Sequence, residues 1–346
     1  MTALVEVEGL SVDYRRGRER FRAVEGVSLR VERGKTLGLV GESGSGKSTI
    51  GSVILGLAPA AEGEVRFDGR TVRRRSRAES VELARRIQAV FQDPYGSMNP
   101  TRKVAWTLAE GLERTLRLSR AEAGARIRET LHDVGLGTDV LDRYPAQFSG
   151  GQLQRLAIAR ALVMEPDFIV CDEAVSSLDL SVQAQVINLL ERLAHARGLA
   201  YLFISHDLPI VAHISDDIAV LFAGQVVEQG PAQLIADDPA HPYTRNLVLS
   251  APVPDPRVQA ERRRERRGAA PDSARAAGDP RMLEGCPYAL RCPFAIAVCH
   301  TSRPALEPRA DGRAVACHRY DELTAGAAGT GGAIGTTAEE GAGHGR

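Results

Sequence analysis

One strand and the turn that follows it constrain this chain more than any other feature. Lys35-Thr36-Leu37-Gly38-Leu39-Val40 has the length and apolarity of a buried strand. Gly41-Glu42-Ser43-Gly44-Ser45-Gly46-Lys47-Ser48 follows at once and fits G-x-x-x-x-G-K-[ST]. Glycines lack a Cβ, so the backbone can curl until successive N–H groups face inward, which makes a cradle for phosphate oxygens. The residues from Lys47 through Thr49 to about Leu57 read as a helix whose positive end points into the same cradle. Lys47 is then expected on the β- and γ-phosphates of ATP, and the Ser48 hydroxyl on Mg²⁺. A glycine- and serine-rich turn that merely precedes a lysine would need neither the strand nor the helix, and both are present.

Residues 1 to about 253 alternate short apolar runs with amphipathic stretches, the pattern of an α/β domain. Phe168-Ile169-Val170-Cys171 and Tyr201-Leu202-Phe203-Ile204 are two further strand-like runs, each followed by chemically capable residues. In open parallel sheets ligands sit past the carboxyl ends of the strands, so this coincidence matters. Asp172 suits a Mg²⁺ ligand, and Glu173 suits a proton acceptor for an attacking water. An acidic pair at a strand-to-helix turn also serves as an N-cap. His206, in Ser205-His206-Asp207, has the reach to hydrogen-bond a γ-phosphate, although a lone loop histidine is as readily structural. Cys171 is most simply a core residue.

Phe148-Ser149-Gly150-Gly151-Gln152-Leu153-Gln154-Arg155 resembles the LSGGQ signature of ABC-transporter ATPases. That resemblance implies a RecA-like P-loop core, an antiparallel β subdomain, and an α-helical subdomain inserted at about residues 93–165. It implies that Ser149, Gly150, Gly151 and Gln152 cap ATP held by an opposite subunit, so that neither subunit completes its site alone. Tyr14 matches the aromatic residue that stacks on adenine, although beside Arg15 and Arg16 it also reads as a surface tyrosine. Gln92 matches the Q-loop residue that touches Mg²⁺ and the water, Ser177-Leu178-Asp179 the D-loop, and His206 the switch histidine. Ala174 stands where the family usually has proline after the glutamate; proline would fix its own φ, so alanine leaves the turn that aims Glu173 freer to loosen, but both carboxylates remain and hydrolysis is expected to survive.

A narrower resemblance, to the ATPases of oligopeptide and dipeptide importers, rests on four segments. They are Phe91-Gln92-Asp93-Pro94-Tyr95-Gly96-Ser97-Met98-Asn99-Pro100, Val182-Gln183-Ala184-Gln185-Val186, His241-Pro242-Tyr243-Thr244, and Gly285-Cys286-Pro287 with Arg291-Cys292-Pro293. Gly151-Gln152 and Ile158-Ala159-Arg160-Ala161-Leu162 lean toward the F-type member of that family's paired ATPases. The implied partners are a second, D-type ATPase, two membrane permeases and an extracytoplasmic solute-binding protein, with the chain at the cytoplasmic face of the membrane. Short peptides are the default cargo; nickel, glutathione and some sugars are carried by machines with similar ATPases. A soluble ABC ATPase of translation or DNA maintenance usually carries two ATPase domains or a long coiled coil, and neither is seen.

Residues 254 to about 283 are rich in Pro, Ala and Arg, with Arg262-Arg263-Arg264 and Arg266-Arg267, and read as a flexible linker. Residues 284–322 form a cysteine-containing extension, and the Gly- and Ala-rich stretch of 323–346 reads as a disordered tail. Cys286, Cys292, Cys299 and Cys317, beside His300 and His318, are a ligand-rich set without the spacing of a zinc ribbon or a ferredoxin. The resemblance favours a [4Fe–4S] cluster, with zinc as the alternative; four reduced cysteines packed as small hydrophobes are the plain reading. A 40-residue appendage rarely holds a core of its own, which argues for a metal staple.

Basic and acidic residues balance at 44 each, so no global charge points to nucleic acid or lipid. No apolar run approaches the roughly 20 residues of a spanning helix, and Glu6 and Glu8 break the amino terminus, so a soluble intracellular chain is expected.

Overall fold

The computed structural model describes residues 3–17, 19–73, 76–176, 178–251, 255–257, 259–260 and 279–328. The strands are β1 (Ala3–Arg16), β2 (Glu19–Glu32), β3 (Thr36–Val40), β4 (Glu62–Phe67), β5 (Arg70–Thr71), β6 (Ile87–Phe91), β7 (Phe168–Asp172), β8 (Ala200–Ser205), β9 (Asp217–Phe222), β10 (Gln225–Pro231), β11 (Glu307–Pro308) and β12 (Ala314–Val315). The helices are α1 (Lys47–Ile54), α2 (Arg77–Arg86), α3 (Val104–Arg114), α4 (Arg120–Asp133), α5 (Gly150–Leu162), α6 (Leu180–Arg197), α7 (Leu208–Ile214), α8 (Ala232–Asp237), α9 (Pro242–Ser250), α10 (Ala297–Thr301) and α11 (Tyr320–Ala328).

The main sheet runs β11-β12-β10-β9-β3-β8-β7-β6, with β6, β7, β8, β3 and β9 parallel. Its central strands are apolar at nearly every position because both faces are covered. Successive side chains alternate between two cores. Phe168, Val170, Leu202, Ile204 and Leu39 face the core shared with β1, β2, β4 and α1. Ile169, Cys171, Tyr201, Phe203 and Val40 face the core shared with α3 to α7. Each large apolar side chain so buried stabilises the fold by about 1.5–3 kcal/mol.

The second sheet, β2-β1-β4-β5, is antiparallel and alternates differently. Val5 and Val7 face the core, while Glu6 pairs with Arg30 and Glu8 with Arg66 across the strands on the wet face. Between β6 and β7 the chain is helical: α3, α4 and α5. Serine caps start two of these helices, Ser119 with Glu122 for α4 and Ser149 with Gln152 for α5.

Three sequence expectations meet a different structure. The helix after the glycine loop ends at Ile54, and Leu57 is left exposed. The stretch read as linker is not uniform: Pro280–Met282 is a 3₁₀ turn, capped by Asp279, that lies against the glycine loop. The tail read from 323 is helical as far as Ala328. Residues 261–278, with their arginine run, and 329–346 lie outside the described residues, as does Ser177.

The extension is no independent appendage. β12 pairs antiparallel with β10 (Glu228 opposite Val315), which lengthens the main sheet. Cys286, Tyr288, Ala289 and Cys299 belong to the main core. The premise that this segment needs a metal staple for want of a core is therefore overturned: it borrows the core of the cassette.

Candidate functional site

Register places the chemistry in one row. Val40 lies opposite Ser205, Leu39 opposite Ile204, Ile204 opposite Asp172, and Asp172 opposite Phe91. The residues that follow these four strand ends therefore emerge along one edge of the sheet. They are the glycine loop after β3, Gln92 after β6, Glu173 after β7, and His206 after β8. A cavity of about 770 Å³ opens there, lined by the loop from Glu42 to Thr49, by Gln92, Asp172 and Glu173, and by Tyr14 and Phe21.

Glycine is required at two loop positions by contact. A Cβ on Gly41 would come within 2.1 Å of the Leu221 carbonyl oxygen, and one on Gly46 within 2.7 Å of the Ala23 oxygen, where φ is +108°. Gly46 immediately precedes α1, so the free N–H groups of that helix start face the cavity end of the loop. Lys47 is buried, and its Nζ donates to the carbonyl oxygens of Gly41 (2.7 Å) and Glu42 (2.9 Å). Burial pulls its ammonium below the usual lysine range, while Glu173, Asp172 and Glu42 oppose that shift.

Ser48 Oγ donates to Asp172 Oδ1 at 2.9 Å. Burial raises the Asp172 carboxyl above the usual range, Ser48 and Lys47 pull it back, and the neighbouring Glu173 raises it further. Two hard oxygen donors thus stand side by side, a set that suits Mg²⁺.

Glu173 has φ of +49°, a conformation that costs a non-glycine residue about 1–3 kcal/mol. Hydrogen bonds hold it there. Its N–H donates to Ile204 O (3.0 Å), and its carbonyl accepts from Ser176 N (3.2 Å) and Ser176 Oγ (3.0 Å). Ala174, at the position where the family usually has proline, is buried. Ser176 and β8 hold the turn by hydrogen bonds without a ring. His206 Nδ1 lies 3.7 Å from Glu173 Oε1.

Tyr14 and Phe21 are cross-strand partners near the tip of the β1–β2 hairpin, both partly exposed at the cavity. Phe21 was not anticipated; its signal was there, an aromatic facing Tyr14 across a turn at Gly17. Arg281 and Arg291 of the carboxy-terminal region also line the cavity and were not anticipated either. Tyr243, from the His241-Pro242-Tyr243-Thr244 segment, accepts the Glu42 N–H on its hydroxyl at 2.8 Å.

A second group lies apart. None of Ser149, Gly150, Gly151, Gln152 or Asp179 lines the cavity. Ser149 caps α5 and Asp179 caps α6, accepting from Val182 N at 3.0 Å. The two caps are neighbours: a Cβ on Gly151 would meet Val182 Cγ1 at 2.5 Å.

The four cysteines of the extension line a pocket of about 20 Å³ with His241, Tyr288 and Phe294. Burial pushes up the thiols of Cys286 (to about 12), Cys292 (to about 11) and Cys317, against a backbone hydrogen bond at each, and neighbouring cysteines add to the rise. Among the described residues no three His, Cys, Asp or Glu side chains are grouped to hold one metal ion. Among them too, no helix is long and apolar enough to cross a membrane.

Two family profiles match the chain: ABC transporter over residues 24–176, and oligopeptide/dipeptide transporter, C-terminal region, over residues 227–299. A peptide import ATP-binding protein of Brucella abortus (strain 2308) is 47% identical over 308 residues, 88% of each chain. The oligopeptide transport ATP-binding protein OppF of Bacillus subtilis is 46% identical over 265 residues, 76% of this chain and 87% of that one. Among solved structures, cbiO1 of Clostridium perfringens, part of an ABC transporter complex, superposes with TM-score 0.62 at 28% identity, over 68% of this chain and 92% of that one. The dimeric bacterial ABC transporter cassette MJ0796 gives 0.60 at 27% identity, over 66% and 98%. With its parallel core, antiparallel β sheet, inserted helices and glycine-loop cavity, the chain belongs to the ABC transporter ATPases, in the group that carries the oligopeptide/dipeptide transporter C-terminal region.

Proposed function

We propose that this chain is the ATP-hydrolysing subunit that energises import of oligopeptides or dipeptides, docked by permease subunits at the cytoplasmic face of the membrane. The observation that carries the reading is the cavity in which the glycine loop, Ser48–Asp172 and Glu173 share one edge of the sheet. The matched C-terminal region and the names of the relatives support peptides as the cargo class.

In this reading Lys47 leaves its two carbonyl partners for the β- and γ-phosphates, and Tyr14 stacks on the adenine. Ser48, Asp172 and Gln92 would hold Mg²⁺, which neutralises charge on the phosphates when bound. Glu173 takes the proton of the attacking water as its oxygen bonds to the γ-phosphorus and the bond to the ADP oxygen breaks. His206 holds Glu173 and the γ-phosphate in register. The rate gain comes from positioning and charge complementarity, so small displacements of Glu173 matter. Ser149–Gln152 and Asp179, which do not line the cavity, serve ATP bound by a second ATPase subunit, here a D-type partner. A solute-binding protein outside the cell supplies the cargo.

The test is Glu173→Gln in the complex assembled with its permeases. ATP should still bind, while turnover falls by two orders of magnitude or more. Undiminished turnover removes Glu173 from its role, and a chain that never co-purifies with permeases removes the importer reading.

We also propose that Cys286, Cys292, Cys299 and Cys317 hold a [4Fe–4S] cluster. What supports it is that all four thiols line one mostly apolar pocket. As they stand, no three such donors are grouped to hold a metal among the described residues, for a cluster and for zinc alike. At about 20 Å³ the pocket has room for roughly one water, so the loops bearing the thiols must part to load it. Anaerobically purified protein should be brown, with four irons per chain; colourless protein with or without zinc refutes the cluster.

A further inference from the structure

We infer that the carboxy-terminal region, from the turn at Pro280–Met282 into the extension, is part of the nucleotide site, where Arg281 contacts the triphosphate and Arg291 positions the glycine loop by neutralising Glu42. The inference rests on the ATP reading above and deepens it.

Glu42 poses the problem. It is the second residue of a loop built to bind anions, and it lines that cavity. A triphosphate approaching it meets a like charge at short range in a partly buried setting. Arg291 answers that charge, its Nη1 lying 3.0 and 3.3 Å from the two Glu42 oxygens. The guanidinium also lies 5.7 Å from the centre of the Phe222 ring, on the cavity wall.

Arg281 is placed differently. Its guanidinium lies 4.5 Å over the ring of Phe21, the aromatic opposite Tyr14. Nη2 donates to the Gly44 carbonyl of the glycine loop. Nη1 has only a distant carboxylate contact among the described residues, Asp279 at 3.9 Å. A guanidinium in the wall of an anion cavity, with no carboxylate among those residues close enough to neutralise it, is suited to a phosphate oxygen.

The segment from Asp279 onward, which carries Arg281 just before the extension and Arg291 within it, is fixed to the cassette. Tyr288 packs edge-on against Phe222 (5.2 Å between centroids) and beside Tyr243 (5.4 Å), whose hydroxyl accepts the Glu42 N–H. Arg303 Nη1 meets Glu25 at 2.5 Å, and β12 lengthens the main sheet. Charge delivered on such a scaffold is preorganised, with little ordering left to do on binding.

The experiment measures affinity of the full-length chain for a non-hydrolysable MgATP analogue, for ADP and for adenosine. Arg281→Ala and Arg291→Ala should each weaken the triphosphate roughly five- to tenfold, the scale of one partly exposed charge at short range, and leave adenosine unchanged. Lysine at either position should retain most of the affinity, which separates charge from packing. The positioning role has its own signature: in the presence of Glu42→Gln, Arg291→Ala should cost nothing further. Wild-type affinity in both alanine variants overturns the inference. Tighter binding also overturns it, because Arg281 is then a latch over the cavity. Wild-type protein that binds no nucleotide refutes the ATP reading itself, a different result.

Discussion

Acid should destabilise this chain through His241, and the structure sets the size of the effect. The imidazole is buried at the start of α9, where its Nδ1 accepts the Tyr243 N–H at 3.1 Å. The backbone N–H groups of His241 and Ala240 donate to Glu228, itself buried. Burial drives the His241 pKa down from 6.5 to about 3. Below pH 6.5 the unfolded chain takes up a proton that the folded chain refuses, so stability falls as pH drops toward 3, and above 6.5 the group is silent. The gap between 6.5 and about 3, at about 1.36 kcal/mol per pK unit, sets a ceiling of ~5 kcal/mol, of which ~2 kcal/mol is already felt at pH 5. That is a large part of the 5–15 kcal/mol typical of a domain.

His241→Asn isolates the term. Asparagine is a good N-cap acceptor and does not titrate, so the cap survives and the pH dependence goes. Glu228 works in the opposite sense, because burial raises its carboxyl and acid relieves the penalty on its charge, but that contribution is common to both proteins. Urea unfolding of the full chain at pH 7.5 and pH 5.0 should show the wild type losing ~2 kcal/mol more than the variant. Equal losses would refute the reasoning: either His241 charges in place with a partner, or water reaches it.

Two further outcomes follow from groups around the same cavity. Tyr243→Phe leaves the Glu42 N–H without its acceptor and should cost about 1–3 kcal/mol in urea unfolding, together with a loss of MgATP affinity; stability alone falling would show that the loop keeps its shape without that bond. Because burial raises the Asp172 carboxyl, the Mg²⁺-dependent part of nucleotide affinity should fade on acidification above the ordinary carboxylate range, as the protonated form loses the charge that attracts the ion. Parallel pH profiles with and without Mg²⁺ would refute a role for Asp172 at the metal.

What the sequence made legible was local, and what it concealed was contact between segments far apart. The glycine octet announces its own geometry, because strand, turn and helix start are contiguous and the two glycines are forced by carbonyls within 3 Å of where a Cβ would stand. Glu173 and His206 were legible too, since each comes just past an apolar run and parallel register then brings the run ends together, whereas Gln92 was legible only through the family resemblance. Nothing comparable marks Arg281. It sits in a stretch whose Pro, Ala and Arg content reads as linker, and its place over Phe21 depends on a chain path of about 260 residues closing on itself. The cysteine segment misled for a related reason. Counted alone, 40 residues cannot build a core, but Cys286, Tyr288 and Cys299 need none of their own once Phe222 and Tyr243 of the cassette lie against them. The same packing explains why the extension reaches the glycine loop at all. Tyr288 is held by the aromatic pair whose tyrosine accepts from Glu42, and Arg291, three residues on, is thereby delivered to the Glu42 carboxylate. The residue that makes the loop's acidic side chain tolerable is thus supplied by the segment that looked most separable from it.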